Sequence, residues 1–164
     1  MSEFLSSHEL LNLEEEIRVA KQALYVQKKS NEGLSQSFKQ LSLRTGWATY
    51  LWVKDQGLMN LKSTEPAAPK TISFQEAIKF AAARKHFSLF VFPINDKDSW
   101  LEAKMYFSTN PIEFGGVVKF LFILPKDKCH PFLVKNGKSV EFNMGLDGNF
   151  VLRDGHWVSA NDLH

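Results

Sequence analysis

Residues 10–41, LLNLEEEIRVAKQALYVQKKSNEGLSQSFKQL, contain the most regular pattern in the chain. Ten positions in this stretch follow a strict spacing of three and four residues, and eight of the ten are apolar. Apolar residues at this spacing form a stripe along one side of an α-helix, as in the heptads of a coiled coil. The ten positions are Leu10, Leu13, Ile17, Ala20, Leu24, Gln27, Asn31, Leu34, Phe38 and Leu41.

This apolar stripe implies a second helix, because an isolated helix would leave the stripe in water. We therefore predict that residues 1–45 form a long helix that pairs with a second copy of the chain, with the ten positions as the dimer interface. Asn31 falls at an a position, where a buried asparagine pair fixes the register and the number of helices. The pattern leaves parallel and antiparallel pairing open.

Helix-end signals flank the same stretch, but one interruption lies inside it. Ser6 and Glu9 form a capping-box pattern at the start, and Gly46 is suited to end the helix. Ser30–Gly33 resembles a turn, and a glycine costs a helix interior about 1 kcal/mol. The alternative is a helix that breaks near Asn31 and folds back as a hairpin. The unbroken spacing across the interruption favours the continuous helix.

The composition indicates a folded chain without strong charge bias. The net charge is +2, from 20 basic and 18 acidic residues, and 44% of the residues are hydrophobic. The single cysteine, Cys129, excludes an intramolecular disulfide and a cysteine-rich zinc site. We expect no signal peptide and no membrane span, because the longest apolar run is only Phe120–Leu124. A cytoplasmic location is the expectation.

Residues 46–85 predict a hairpin followed by a helix. Residues 46–63 alternate aromatic and β-branched side chains around a turn at Lys54–Gly57, which is typical of a β-hairpin. The alternative is that the long helix continues to Gly57. A second helix is predicted from Ser73, where Glu76 completes a capping box.

The rest of the chain is predicted to consist of strands and turns. Ser88–Pro93 and Val117–Leu124 are apolar on both faces and should be central strands. Trp100–Ser108 alternates apolar and polar residues, as a half-buried strand does. Asn136-Gly137 and Asp154-Gly155 are typical of two-residue turns in hairpins. These turns predict a four-stranded antiparallel meander.

Two cross-strand pairs follow from this meander: Leu133 opposite Val140, and Leu152 opposite Trp157. The predicted fold class is α+β. It has a long N-terminal coiled-coil-like helix, then a mostly antiparallel β-sheet domain with one packed helix and a C-terminal β-meander. The predicted domains are residues 1–45 for dimerisation and residues 46–164 for the sheet.

No motif for catalysis, cofactor binding or metal binding is present, so none of these sites is assigned. Cys129 and His130 are neighbours, and in an extended segment they point to opposite faces and cannot pair. The histidines lack metal-ligand spacing, and they are His8, His86, His130, His156 and His164. No glycine pattern typical of a nucleotide-binding loop occurs.

The function expected from these features is that of a non-enzymatic protein-interaction module. An adaptor, chaperone-like factor, inhibitor or regulator acting as a soluble homodimer would fit. Trp47, Tyr50 and Trp52 are candidate partner-binding residues, because aromatic rings are frequent in binding hot spots. They would equally anchor a sheet against a helix.

Two alternative functions remain at the level of sequence. Lys104–Phe107 and Lys119–Phe122 combine lysine with aromatic residues, as nucleic-acid-binding strands do. A nucleic-acid-associated regulator is therefore one alternative, although core packing also explains Phe120 and Phe122. A small enzyme is the other, because catalytic groups assemble in space rather than in sequence.

Overall fold

The computed structural model describes residues 13–28, 31, 33–63, 65–110, 116–128 and 130–140, and the backbone of residues 150–153 and 156–159. The described part contains eight strands and five helices. The strands are β1 (Ala23–Gln27), β2 (Ala48–Val53), β3 (Gly57–Asn60), β4 (Ser88–Pro93), β5 (Val118–Leu124), β6 (Gly137–Ser139), β7 (Phe150–Arg153) and β8 (His156–Ser159). The helices are α1 (13–19), α2 (Leu34–Thr45), α3 (Phe74–Ala82), α4 (Lys97–Thr109) and α5 (Pro131–Asn136).

Six of the strands form one mixed sheet in the order β3-β2-β4-β5-β1-β6. All neighbouring pairs run parallel except β2 and β3, which form an antiparallel hairpin. Helices α1 and α2 pack on one face, and α3, α4 and α5 pack on the other. Strands β7 and β8 form a separate pair, and β7 lies beside α2. The architecture is a three-layer arrangement of helices on both faces of a sheet.

The two central strands are buried on both faces, as their largely apolar sequences predict. In β4, Leu89 and Val91 belong to the core beneath α1 and α2, whereas Phe90 and Phe92 belong to the core beneath α3 and α4. Phe90 lies opposite Phe120 of β5, with ring centroids 6.2 Å apart. The prediction that residues 88–93 and 117–124 are central strands is confirmed, with β5 beginning one residue later.

The prediction of a continuous N-terminal helix is wrong, because residues 23–27 of that stretch form strand β1. Leu24 and Tyr25 pair with Leu121 and Phe122 in the middle of the sheet. Alternate side chains of β1 enter the two cores, with Leu24 in one and Ala23 in the other. A run that fills both faces of a sheet buries more apolar surface than one stripe of a helix does. The described residues between 13 and 45 therefore contribute to the sheet and its helices.

The apolar stripe is covered by the chain's own sheet. Seven of its positions lie within one core cluster on the α1–α2 face: Leu13, Ile17, Ala20, Leu24, Leu34, Phe38 and Leu41. Its two polar positions are exposed, and Asn31 lies in the loop between β1 and α2 rather than in a helix. The break predicted near Asn31 as the alternative does occur, although a strand and not a helix precedes it. Leu10 and the Ser6–Glu9 pattern lie outside the described residues.

The prediction of a mostly antiparallel sheet with one packed helix is also wrong. Parallel neighbours need long crossovers, and helices supply them. Residues 97–109 form α4 instead of a strand, with Asp96 as its N-cap accepting a hydrogen bond from the Ser99 amide at 2.9 Å. Ala103 and Phe107 are buried one turn apart, while Leu101 and Met105 are exposed. The apparent alternation therefore combines a helical core stripe with two apolar residues on the outside.

The C-terminal meander is reduced to a hairpin. Pro131–Asn136 is α5, so Leu133 lies in the core beneath α3 and α4 and does not face Val140 across a hairpin. Gly137 begins β6, which runs parallel to β1. The β7–β8 pair has the predicted register, with Leu152 opposite Trp157.

Several local predictions are confirmed. The β2–β3 hairpin forms around Lys54–Gly57. Helix α3 has the predicted capping box between Ser73 and Glu76. Gly46 ends α2 with a left-handed φ of 80°. Within the described ranges, no helix combines the length and the apolar character needed to cross a bilayer.

Candidate functional site

The outer side of α4 carries two large apolar side chains that the core does not use. Leu101 is 45% exposed and Met105 is 72% exposed. They are four residues apart and therefore adjacent on the helix surface. Ser99, Ala103 and Phe107 hold the opposite side of the helix in the core. We call Leu101 and Met105 the α4 ridge.

A groove runs beside this ridge, between α4 and the start of α3. Its volume is about 310 Å³, and its lining residues are Ser73, Gln75, Glu102, Met105, Tyr106, Thr109 and Asn110. Ile72, which precedes the lining residue Ser73, is 55% exposed. Met105 is the member of the ridge that lines the groove. We call this cavity the α3–α4 groove.

Hydrogen bonds and ring packing beneath the groove hold its two walls together. Glu102 Oε2 accepts a hydrogen bond from the Phe74 amide at 2.7 Å, which joins α4 to the first residue of α3. The Phe74 ring is fully buried and packs edge-on against Tyr106 and Phe107, with centroids 5.6 and 5.5 Å apart. The groove is therefore formed by packed helices rather than by a loop.

The charge of the groove is negative. Glu102 is the charged member of the residues that line it. At about 100° per residue around a helix, Glu102 and Lys104 fall on opposite sides of the ridge. A ligand in the groove would meet the carboxylate of Glu102 on one side and the apolar Met105 on the other.

A larger pocket lies at the carboxyl ends of β2 and β4, where ligands bind in many parallel α/β sheets. Its volume is about 590 Å³. The lining residues are Asn31, Gly33, Leu34, Ser35, Gln36, Leu51, Trp52, Val53, Lys54, Pro93 and Asp96. None of these is a histidine or cysteine, so the pocket lacks the usual nucleophile and base pairs.

The charged groups at this pocket neutralise one another. Lys54 Nζ lies 3.4 Å from Asp96 Oδ1 and 3.2 Å from Asp98 Oδ2. The hydrogen bond to Asp98, with the charge of Asp96, raises the pKa of Lys54 above 10.5. Burial raises the pKa of Asp96, but hydrogen bonds from Ser99 and the charge of Lys54 outweigh burial and lower it below 3.8. Lys54 is thus a charged amine already paired with two carboxylates.

The three aromatic residues predicted to bind a partner do not form a common surface. Tyr50 and Trp52 are 8% and 4% exposed and lie in the core beneath α3 and α4. Tyr50 stacks on Phe90 at 4.8 Å, and Trp52 Nε1 donates a hydrogen bond to the Ile72 carbonyl. Trp47 packs on the opposite sheet face against Phe87, at 5.0 Å. Their main role in the structure is to join strands to helices, although Trp52 also lines the larger pocket.

The two polar positions of the predicted dimer interface also have places in the single chain. Gln27 Nε2 donates a hydrogen bond to the Lys128 carbonyl at 2.9 Å. Asn31 lines the pocket at the carboxyl ends of β2 and β4, and its carbonyl accepts a hydrogen bond from the Leu34 amide. The seven buried apolar positions lie in the core between the sheet and helices α1 and α2.

His86 and His130 are the two histidines whose side chains the structure describes. Within the described ranges, no group of three histidine, cysteine or carboxylate side chains could hold a metal ion. His86 is exposed, whereas His130 is buried between Trp100 and Phe107. Cys129, His8 and His164 lie outside the described residues, and His156 is described only by its backbone.

The α4 ridge was not among the sites that the sequence predicted. Leu101 and Met105 looked like the inward side of a strand, because every second residue from 101 to 107 is apolar. The N-cap pattern of Asp96 before Lys97–Trp100 is the local signal that favours a helix. With a helix assigned, the two residues fall away from the Ala103–Phe107 side.

Comparison with known proteins identifies no relative: no protein-family model, curated protein or solved structure matches the chain.

Proposed function

We propose that this chain is a non-enzymatic protein-interaction module that binds an amphipathic helix of another protein along the α4 ridge. The observation that carries the proposal is the exposure of Leu101 and Met105, at 45% and 72%, beside a preformed groove. Contiguous apolar side chains on a surface are typical of interaction sites, and flexible methionine is frequent at them. An adaptor, inhibitor, chaperone-like factor or regulator would use such a surface without chemistry.

The shape of the surface favours a helix as the bound element. Leu101 and Met105 stand one helical turn apart, so they form a short straight ridge with a groove along one side. An amphipathic helix places its own apolar side chains at three- and four-residue spacing into such a groove.

The negative charge of the groove favours basic residues along one edge of the partner helix. Glu102 presents its carboxylate among otherwise uncharged lining residues. A lysine or arginine on the partner would pair with this carboxylate, and charge complementarity raises specificity and the association rate. The proposed partner therefore has an apolar stripe bordered by basic residues.

The homodimer predicted from the N-terminal stripe is not the basis of this proposal. The seven apolar positions of the stripe are engaged in the core of a single chain. A second copy of the chain remains an occupant that the experiment below distinguishes from a different protein.

The nucleic-acid alternative has less support from the described surfaces. Phe120 and Phe122 are buried in the core, and the Lys119 amine is bonded to the Ala20 carbonyl. Stacking of bases requires exposed rings. Lys104 is exposed beside the apolar ridge, but the acidic Glu102 borders the other side, so the ridge does not lie in a uniformly basic surface.

Photo-crosslinking tests the proposed surface. A benzophenone amino acid is placed at Met105 and, as a matched control, at Leu43 of α2, which is 56% exposed. In extract of the source cells, the probe at Met105 should trap one protein through a helical segment bordered by lysine or arginine. The purified partner should then bind the Met105→Glu variant at least about tenfold more weakly, while Leu43→Glu binds normally.

Three results would contradict the proposal. Trapping of the same proteins from both positions would show that Met105 has no specific partner. A crosslink to another copy of this chain would replace the proposed complex by a homodimer at the α4 ridge. Unchanged affinity of the Met105→Glu variant would mean that the partner binds elsewhere.

A further inference from the structure

His130 is a buried histidine whose ring has no hydrogen-bond partner among the described residues. It is 3% exposed, and neither Nδ1 nor Nε2 is bonded. The ring lies against Trp100, at 4.9 Å between centroids, and edge-on to Phe107, at 5.3 Å. A neutral imidazole carries one donor and one acceptor, and a buried donor or acceptor left unpaired destabilises the folded state.

The surroundings of His130 favour the neutral ring. Burial lowers the pKa of His130 below 6.5, and the positive charge of Lys104 on α4 lowers it further. The other charged side chains nearby in the chain are Lys126, Asp127 and Lys128 before it and Lys135 on α5, and the lowering of the pKa comes from burial and Lys104. A protonated ring would therefore lie in an aromatic cage without a counter-ion.

His130 also connects two elements at one edge of the fold. Its carbonyl accepts a hydrogen bond from the Val134 amide at 2.9 Å, which forms the first turn of α5. Phe132 of α5 stacks on Phe107 of α4 at 4.4 Å. Helix α5 leads directly into β6, the outermost strand beside β1. The His130 ring thus packs on the same Phe107 ring that receives Phe132, at the junction where α5 and β6 attach to α4.

We propose that His130 is an acid-sensitive latch, whose protonation drives the ring out from between Trp100 and Phe107 and releases α5 and β6 from the sheet. Release would uncover the Phe107 ring and the β6-facing edge of β1. The device is separate from the α4 ridge, because Leu101 and Met105 lie on the outer side of the helix.

The direction of the pH dependence follows from linkage. The folded form holds a proton on His130 less tightly than the open form, in which the pKa returns to about 6.5. The latch is therefore fully closed above pH 6.5 and weakens as the pH falls below that value. One pH unit below it, the ratio of open to closed chains should rise by up to about tenfold.

Amide hydrogen exchange, corrected for intrinsic rates, measures this opening in the wild-type chain. Between pH 7.5 and pH 5.5, protection of the α5 and β6 amides should fall by up to about tenfold, while β4 amides keep theirs. His130→Phe keeps an aromatic ring that cannot be protonated, so its protection should be independent of pH. His86→Phe, at an exposed histidine, is the matched control and should behave like wild type.

Two observations would overturn the latch. One is an equal loss of protection in wild type and His130→Phe, or no loss in either. The other is an NMR titration of the wild-type His130 ring with a midpoint at or above 6.5. The titration needs no substitution, so it decides the question even if His130→Phe does not fold.

Discussion

Lys119 Nζ donates a hydrogen bond of 2.6 Å to the carbonyl of Ala20, joining the start of β5 to the residue that follows α1. The two residues are 99 positions apart in sequence. Lys119 is only 9% exposed, and burial lowers its pKa below 10.5. An amine at the carboxyl end of a helix meets the negative end of the helix dipole. This contact therefore fixes α1 on the sheet.

Replacing Lys119 by methionine tests that anchor. Lys119→Met keeps the length of the side chain but removes the donor, so the Ala20 carbonyl loses its bond. A hydrogen bond from a charged group contributes about 1.5–3 kcal/mol, and relief of lysine desolvation offsets part of it, so a net loss of about 1 kcal/mol is expected. Urea unfolding measures it, with the exposed Lys39→Met as control. Equal midpoints for both variants would argue against the anchor.

Gly137 is predicted to tolerate no side chain. A Cβ there would lie 2.8 Å from the Leu133 carbonyl oxygen and 2.9 Å from that of Ala23, both backbone atoms. Gly137→Ala should therefore displace β6 from β1 and destabilise the protein by about 2 kcal/mol, as overpacking does. Gly116→Ala is the matched control, because nothing lies within 4 Å of its Cβ position. Thermal unfolding of both variants checks the difference, and comparable melting temperatures would refute the close approach.

Asp96 should make a pH-dependent contribution through its capping of α4. Asp96→Ala removes the bond from the Ser99 amide, and loss of an N-cap costs about 1 kcal/mol. Because the pKa of Asp96 is lowered below 3.8 in the folded state, stabilisation by its charge is present above 3.8 and is lost as the pH falls through the folded-state value. Urea unfolding from pH 7 to pH 3 should show wild type converging on Asp96→Asn, which keeps a cap without a charge. A constant difference between these two proteins would contradict the assignment.

The two explanations of the N-terminal stripe predict opposite results for Leu24. In the structure, Leu24 is 1% exposed between β5 and β6, so Leu24→Asp buries an unpaired carboxylate and should unfold the chain. A coiled-coil dimer would instead give a folded, helical monomer. Val19→Asp, at a position 58% exposed, should have little effect. Circular dichroism and light scattering distinguish the two outcomes. A folded, monomeric Leu24→Asp variant would support the coiled-coil dimer and contradict the sheet position of Leu24.

Local patterns predicted the elements whose signals lie within a few residues. The capping box at Ser73 and Glu76, the hairpin around Lys54–Gly57 and the Leu152–Trp157 register all form as predicted. Caps and turns are formed by residues close together in the chain, so a short stretch of sequence is enough to predict them. The burial of both faces of β4 and β5 was likewise predicted from their largely apolar sequences.

The candidate surface could not be predicted in the same way. Leu101, Ala103, Met105 and Phe107 alternate like a strand, and only the cap at Asp96 indicates that they belong to a helix. Which of them face solvent depends on where α3 and the sheet lie, and those contacts come from residues far along the chain. The orphaned ring of His130 is also invisible in sequence, because Trp100 and Phe107 reach it from another element.

What residues 10–41 established without the structure is that an apolar stripe must be covered. Only the tertiary structure shows what covers it, because the same three- and four-residue spacing suits packing on a partner helix or on the chain's own sheet. Leu24 settles it, because the β1 run fills both cores and pairs with β5, whereas a coiled coil would bury one side only. Local chemistry therefore determined caps, turns and register, and the burial of both faces of β1 decided the topology.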